Sequence, residues 1–395
     1  MKKTLLGSIA DIQTGPFGSQ LHKEDYVENG TPIVTVEHLG NRVFTEQNLP
    51  MVSDYDKERL NKYVLCEGDI VFSRVGSVDR CSYVDSNHSG WMFSGRCLRV
   101  RPSDKLYPLY LYYYFCMEST KRFVRNIAVG ATMPSINTKL MGEVEVSVPS
   151  IDTQKRIVTI LSSIDDKIEL NAEINENLEQ QAQAYFVDLF ITNADPNWKM
   201  GTVSDFGNVI GGGTPSKKVE EYYTSNGIAW ITPKDLSNDK SKFVAHGETD
   251  ITELGLAKSS ATLMPKGTVL FSSRAPIGYI AIADDQVSTN QGFKSIVPFS
   301  NVGNAFVYYY LKENLSAIEN VASGSTFKEV SGSTLKNFSA VIPDNETLTE
   351  FQRFCSPLFE QQRALEYENR YLATLRDTLL PKLMNGEIDV SQVQI

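Results

Sequence analysis

The sequence predicts an α+β protein in which one module, a globular part followed by a long helix, occurs twice. Three observations predict it. Segments of the first half recur in the same order 194 to 200 residues later. The first ~150 residues of each copy hold short β-type runs among turn residues. Apolar residues then recur every three or four positions over more than four heptads.

The repeat can be followed along the chain. Gly7-Ser8-Ile9-Ala10-Asp11-Ile12 answers to Gly201-Thr202-Val203-Ser204-Asp205-Phe206, and Gly30–Leu39 to Gly227–Leu236. Gly68-Asp69-Ile70-Val71-Phe72-Ser73-Arg74 answers, with one insertion, to Gly267–Arg274. Tyr112-Tyr113-Tyr114 matches Tyr308-Tyr309-Tyr310, Gly130-Ala131-Thr132 matches Gly324-Ser325-Thr326, and Val148-Pro149 matches Ile342-Pro343. Chance matches would not stay collinear. A period this long is a duplicated module rather than a solenoid.

Within each globular part, Pro32–Val36, Asp69–Ser73, Thr268–Phe271 and Gly278–Ile282 read as strands. Tyr107–Phe123 and Val302–Asn320 read as helices. The tyrosine triplets occupy consecutive helical positions, which spread round the helix and favour core packing over base stacking.

The first helical part carries a seam of Ile157, Leu161, Ile164, Ile168, Asn171, Asn175, Leu178, Ala182, Tyr185 and Leu189. No proline interrupts it between Pro149 and Pro196, which permits one helix of ~57 Å. The second carries Phe351, Leu358, Leu365, Leu372 and Leu379 every seven residues, with Pro381 marking its end and Gly386 following. Two such seams in one chain predict antiparallel pairing, with the asparagines fixing register at a cost in stability. The expected segments are 1–150, 151–195, 196–344 and 345–395.

Charge is unevenly spread. The chain of 395 residues has a net charge of −10. Residues 1–150 hold 17 basic and 17 acidic side chains, and residues 196–344 hold 13 and 14. Residues 151–195 hold 3 and 9, and residues 345–395 hold 5 and 8. The globular parts are therefore near neutral and free to present a basic face to DNA. The acidic helices suit protein contacts better.

Catalytic and metal motifs are missing from the sequence. Five scattered cysteines (Cys66, Cys81, Cys97, Cys116, Cys355) without a Cys-x-x-Cys predict no disulfide scaffold and a reducing, cytoplasmic setting. Four dispersed histidines predict no metal site. No apolar run reaches the ~20 residues of a membrane span, and the basic start lacks the apolar stretch of a secretory signal. Gly211-Gly212-Gly213-Thr214-Pro215-Ser216-Lys217 is mis-spaced for a phosphate loop. Ser325-Thr326-Phe327-Lys328 and Ser333-Thr334-Leu335-Lys336 lack the partners of a serine–lysine hydrolase. Asp195-Pro196-Asn197-Trp198 has no glycine-rich cofactor loop beside it and reads as a linker turn.

Two similar domains with long spacer helices and no catalytic motif suggest a calliper on a linear polymer, and duplex DNA repeats every ~34–36 Å. Here the chain resembles the specificity subunits of type I restriction-modification systems. The resemblance covers essentially all 395 residues. It rests on LGSIADIQTGPFGS, MGTVSDFGNVIGGGTPSK, GIAWITPKDL and STNQGF, on the helical run Ile151–Phe186, and on LRDTLLPKLMNGEI at Leu375–Ile388. The last two are the most specific.

The resemblance implies two duplicated α/β target recognition domains separated by two long antiparallel coiled-coil helices, with internal pseudo-two-fold symmetry. It implies a non-catalytic chain that reads a bipartite double-stranded DNA target and binds no cofactor itself. Two methyltransferase subunits, carrying S-adenosylmethionine for adenine methylation, are the implied partners, joined where present by two ATP-dependent restriction subunits. No membrane is implied. One departure is visible: Asp165-Asp166-Lys167-Ile168-Glu169 has no counterpart around Phe359–Arg363. A stand-alone DNA methyltransferase and a coiled-coil scaffold without DNA readout stay open as alternatives.

Base readout needs donors and acceptors on projecting loops. In the first domain the candidates are Ser73, Arg74, Arg80, Arg96, Thr132, Asn137 and Lys139, with Lys121, Arg122 and Arg125 as phosphate clamps. In the second they are Thr214, Ser216, Lys217, Lys234, Arg274, Asn290, Gln291, Thr326 and Lys328. Arg274 is the one arginine between Pro196 and Asp344, and its position after a strand pairs it with Arg74.

Overall fold

A computed structural model describes residues 3–324 and 328–394. They form two compact units, residues 1–167 with 372–395, and residues 168–371.

The first unit is built on a four-stranded antiparallel sheet. Its strands are β1 (Ala10–Thr14), β2 (Ile70–Ser73), β3 (Cys81–Tyr83) and β4 (Cys97–Pro102), in the order β1-β4-β2-β3. Helix α1 (Pro108–Cys116) buries Tyr110 through Phe115 against this sheet, with Phe115 edge-on to Phe72 at 4.6 Å between ring centroids. Proline at its first position suits a helix start, where the amide donor is not needed. A second, mixed sheet of Tyr26–Val27, Met51–Val52, Thr31–Val34 and Met92–Phe93 has its own core around Ile33, Leu65 and Phe93. A two-stranded ribbon, Lys3–Leu5 with Glu145–Ser147, completes the unit. Its main core also takes in Ile157, Val158 and Leu161 from helix α2 (Ile151–Val187), together with Leu380, Leu383 and Met384.

The second unit repeats this set. Its main sheet has β5 (Gly207–Gly211), β6 (Phe243–Val244), β7 (Val269–Ser273), β8 (Ile277–Ala283) and β9 (Lys294–Pro298) in the order β5-β9-β7-β8-β6, with only the added edge strand β6 parallel to its neighbour. Helix α3 (Asn304–Glu313) carries the buried Tyr308-Tyr309-Tyr310. The core continues onto α2 through Ala182 and Phe186, and onto helix α4 (Asn345–Met384) through Leu348, Phe351, Cys355 and Phe359. All six tyrosines of the two triplets are buried, and Tyr310 donates to the Ser339 carbonyl at 3.2 Å.

Backbone hydrogen bonds refine the repeat. Leu6 donates to Val144, and Val203 to Phe338. Ala10 faces Pro102 as Gly207 faces Pro298. The domain openings therefore align Leu6 with Val203, three residues away from the register that sets Gly7 against Gly201. The strand ends differ as well. Arg74 donates its amide to the Arg96 carbonyl, and Ser273 donates to Gly292 in the same way. Ile136 donates to the Arg74 carbonyl, and Val330 to that of Ser273. Ser273 thus occupies the backbone position of Arg74. Arg274 lies one residue beyond it, past a register shift in the β7–β8 pairing between Phe271 and Ser273.

The long helices form, with a buried line that departs from the expected one. On α2, Ile157, Leu161, Ile164, Asn171 and Leu178 are buried, while Ile168 and Asn175 are half-buried. On α4, Leu358, Leu365, Leu372 and Leu379 are only half-buried. The buried line runs one residue aside, through Phe351, Cys355, Phe359, Gln362 and Glu366. Gln362 and Glu366 lie on this line to accept hydrogen bonds, Gln362 from the Lys242 ammonium at 2.7 Å and Glu366 from the Lys242 and Phe243 amides at 2.9 and 3.1 Å. In the second unit the α2–α4 contacts run in opposite order, Asn171 to Asn369, Asn175 to Glu366 and Glu179 to Gln362. Pro381 does not end α4, which continues to Met384. Gly386, with φ of 75°, takes the left-handed position after it.

Candidate nucleic-acid interface

In the second unit, two loops cross at the end of the main sheet. Gly212 lets the chain after β5 pass under the other loop, since a Cβ there would lie 1.9 Å from the Asn290 carbonyl oxygen. Trp230 ties the same chain down by donating from Nε1 to the Gly213 carbonyl at 2.9 Å. Beyond this crossing opens a concavity of about 480 Å³, and it gathers six of the sequence candidates: Thr214, Lys217, Lys234, Arg274, Asn290 and Gln291.

The hydrogen bonds orient these side chains. The Thr214 hydroxyl donates to Gln291 Oε1. Asn290 Oδ1 accepts from the Gly292 amide at 2.8 Å. Arg274 Nη1 reaches Glu329 at 3.3 Å. Lys234 pairs with Glu248 at 2.7 Å, and Lys217 is exposed. Two carboxylates line the concavity, and both are engaged. Asp235 accepts from the Thr232 amide and hydroxyl at 2.7 and 2.6 Å and from the Glu248 amide at 2.9 Å, while Glu248 holds Lys234. Ser216 and Lys328 are exposed outside this lining. Thr326 lies outside the described residues.

The first unit builds the same crossing from other residues. Gly15 passes under Ser94, where a Cβ would lie 2.2 Å from the carbonyl oxygen. Arg74 donates from Nη1 to the Gly95 carbonyl at 3.1 Å, and its amide to the Arg96 carbonyl at 2.8 Å. Gly76 donates to Pro134, so Arg74, Arg96 and the 129–135 loop with Thr132 are neighbours. Arg96, Thr132 and Lys139 are exposed.

Other candidates of this unit are engaged elsewhere. Ser73 is 1% exposed and its hydroxyl donates to Val75, so it does not face solvent. Arg80 donates to the Leu39 carbonyl. Asn137 caps a short helix by accepting from the Leu140 amide at 2.9 Å. Lys121, Arg122 and Arg125 share one helix, Glu118–Ile127, but Arg125 is held by Asp79 and Glu118. That neutralises the arginine expected to clamp phosphate.

Sequence reasoning missed three features. Thr232 and Asp235 form a capping box, and Thr35 and His38 form one in the first unit. A threonine three residues before an acid or histidine was the available signal. Phe17 is 63% exposed beside Gly95. Lys242 is buried, donating to Glu179, to Gln362 Oε1 at 2.7 Å and to the Tyr309 hydroxyl at 3.2 Å. Its ammonium also lies 4.3 Å from the Phe359 ring centroid. Burial pushes the Lys242 pKa down against the pull of Glu179. Burial likewise pushes Glu179 up, but Lys242 and Lys312 hold its carboxyl down at about 2.

Among the described residues no helix is long and apolar enough to cross a membrane. The family model for the type I restriction modification DNA specificity domain matches residues 1–180 and again residues 196–369. The MjaIX specificity subunit of Methanocaldococcus jannaschii is 37% identical over 206 residues, 52% of this chain and 47% of that protein, so that match spans about half the relative's length. The HindI specificity subunit of Haemophilus influenzae is 25% identical over 83% of this chain and 88% of its own. The crystal structure of the type I S subunit from M. genitalium shares the fold with a TM-score of 0.61 at 16% identity, covering 97% of this chain and 95% of that one. The repeated three-sheet unit and the doubled family match lead to one conclusion: the chain belongs to the type I restriction-modification specificity subunits, whose family role is DNA target recognition.

Proposed function

We propose that this chain reads a bipartite duplex DNA target, one half through residues 1–150 and the other through residues 196–344. Segments 151–195 and 345–395 act as an antiparallel coiled-coil spacer that relates the two recognition domains by pseudo-two-fold symmetry. The spacer and domain flanks hold two methyltransferase subunits. S-adenosylmethionine binds to those subunits and supplies the methyl group for adenine, and this chain contributes recognition without catalysis. Where the host provides them, two ATP-dependent restriction subunits complete a nuclease.

The observation that carries this reading is the repeated loop crossing. Each unit brings the same two loops together with different side chains, as two readers of different half-sites require. Arg74 and Arg96 in the first unit, and Arg274, Asn290 and Gln291 in the second, are the proposed base-reading set. Arg122, Lys139, Lys217 and Lys328 serve as phosphate contacts.

The test is co-expression with the neighbouring methyltransferase gene, followed by genome-wide mapping of methylated adenine. Two fixed sequences separated by an unspecified gap are expected. A single uninterrupted motif, or no complex and no methylation, would overturn the reading. Exchange of residues 1–150 for those of a relative should change one half-site and leave the other.

A further inference from the structure

The concavity of the second unit is lined by side chains whose unengaged ends are donors. The Thr214 hydroxyl engages Gln291 Oε1, and among the described residues the Gln291 Nε2 group has no partner. Asn290 Oδ1 is engaged by the Gly292 amide, and among the same residues its Nδ2 group has none. Arg274 is engaged through one Nη1 contact with Glu329. Both lining carboxylates are already held by donors of the protein. The concavity therefore offers unengaged hydrogen-bond donors on Gln291, Asn290 and Arg274, while its two carboxylates are each engaged by donors of the protein.

Guanine is the base whose major-groove edge offers two acceptors, O6 and N7, and no donor. Adenine pairs N7 with a donor, and cytosine offers a donor. Resting on the bipartite reading above, we propose that Gln291 and Arg274 read a guanine in the half-site of the second domain, with Thr214 orienting the Gln291 amide.

The first domain cannot read a guanine in this way at the matching position. Phe17 stands where Thr214 stands, and Gly95 where Gln291 stands, by the shared backbone bonds from Gly15 to Cys97 and from Gly212 to Phe293. Neither side chain can donate. A Cβ on Gly95 would lie 2.4 Å from the Pro16 carbonyl oxygen, so backbone packing keeps that position a glycine. The exposed Phe17 instead offers an apolar ring of the kind that meets a thymine methyl group.

The test uses the full chain co-purified with its methyltransferase and duplexes carrying the mapped motif. Each guanine of the second half-site is replaced in turn by 7-deazaguanine, which lacks the N7 acceptor. Wild type is expected to lose about tenfold in affinity at one guanine, and Gln291→Ala to be indifferent to that same replacement while keeping the other half-site. Gln291→Glu, which replaces the amide donor by an acceptor, should disfavour guanine at that position in the methylation map. Gln291 is exposed, so neither variant disturbs the core. A wild-type motif with no guanine in that half-site, or unchanged guanine preference in both variants, overturns the assignment and leaves the bipartite reading intact. A wild-type complex without a split motif overturns the bipartite reading itself.

Discussion

The two units face the same electrostatic problem and meet it at different depths. Each sends a cation from an equivalent backbone position towards α2: Tyr83 donates to the Arg42 carbonyl at 2.7 Å, and Ile282 to that of Lys242 at 2.7 Å. Arg42, 18% exposed, pairs at 2.6 Å with Asp166, whose side chain is 62% exposed. Lys242 is 6% exposed and its partner Glu179 14%. Both units add a tyrosine: Tyr113 donates to Asp165 and Tyr309 to Glu179. Three of the seven carboxylates on α2, Asp165, Asp166 and Glu179, are thus engaged by cations of their own unit. The pair that is open to water at Asp166 is cheaper to break than the dry pair, where Glu179 would stay buried with Lys312 as its remaining cation at 2.7 Å.

The largest expected effect follows from that difference. Lys242→Met should destabilise the second unit by about 3 kcal/mol, because Glu179 stays buried with only Lys312 to compensate it. Arg42→Met should cost less, about 1–2 kcal/mol, because Arg42 is 18% exposed but Asp166 returns to water. Urea unfolding with hydrogen exchange resolved by peptide checks both, with lost protection confined to 168–371 for the lysine variant. Equal costs would break the comparison. Replacing Lys242 and Glu179 together by methionine should recover most of the loss, since well-packed apolar residues often match a buried pair.

Acid sharpens the same comparison. Glu179 titrates near 4.5 when unfolded and at about 2 when folded. Between these values the unfolded chain binds more protons, so stability falls as pH falls. The contribution is fully present above about pH 5, declines from there towards pH 2, and amounts to something on the order of 3 kcal/mol. Glu179→Gln should remove this slope from the second unit. A slope that persists in the variant would assign the acid sensitivity to other carboxylates.

A smaller effect separates the two capping boxes. Asp235 accepts three hydrogen bonds as an anion, whereas His38 accepts the Thr35 amide at Nδ1 at 3.0 Å and donates from Nε2 to the Gln47 carbonyl at 3.0 Å. Charge-assisted bonds are the stronger ones. Asp235→Ala should cost about 2 kcal/mol and His38→Ala about 1 kcal/mol, measured by the same unfolding experiment.

The duplication, the long helices and the polar loops after strands were legible because periodicity and turn residues are local signals. The site assembly was not. Arg74 and Arg274 follow matching Ser-rich strand ends, yet one inserted residue, Ser273, takes the backbone role of Arg74 and sends Arg274 towards Glu329. Pattern matching absorbs an insertion that a pleated strand does not, because one residue reverses the side-chain direction. The leucine heptad of α4 misled for a related reason. Leucines mark an apolar stripe, but Gln362 and Glu366 lie on the buried line, where they accept hydrogen bonds from Lys242, a residue about 120 positions away in the chain. No local window contains that contact. Arg125 reads as a free cation until folding brings Asp79 to it.

The smallest expected effect lies where α2 meets α4 in the second unit. Asn171 is fully buried and donates from Nδ2 to Glu368 at 2.8 Å and to Asn369 at 2.9 Å. Its Oδ1 is buried without a partner. An unmade bond at a buried acceptor opposes the two that are made. Asn171→Leu should therefore change stability by less than about 1 kcal/mol. The asparagine contributes register instead, because only one alignment of the helices brings Asn369 both to Asn171 and, through its own Nδ2, to the Ile168 carbonyl at 3.1 Å. Hydrogen exchange along α2 checks this. The leucine variant should keep its global stability while the amides around 168–175 exchange faster, since alternative alignments then compete. Unchanged protection would show that Phe351, Cys355 and Phe359 set the register without the asparagine.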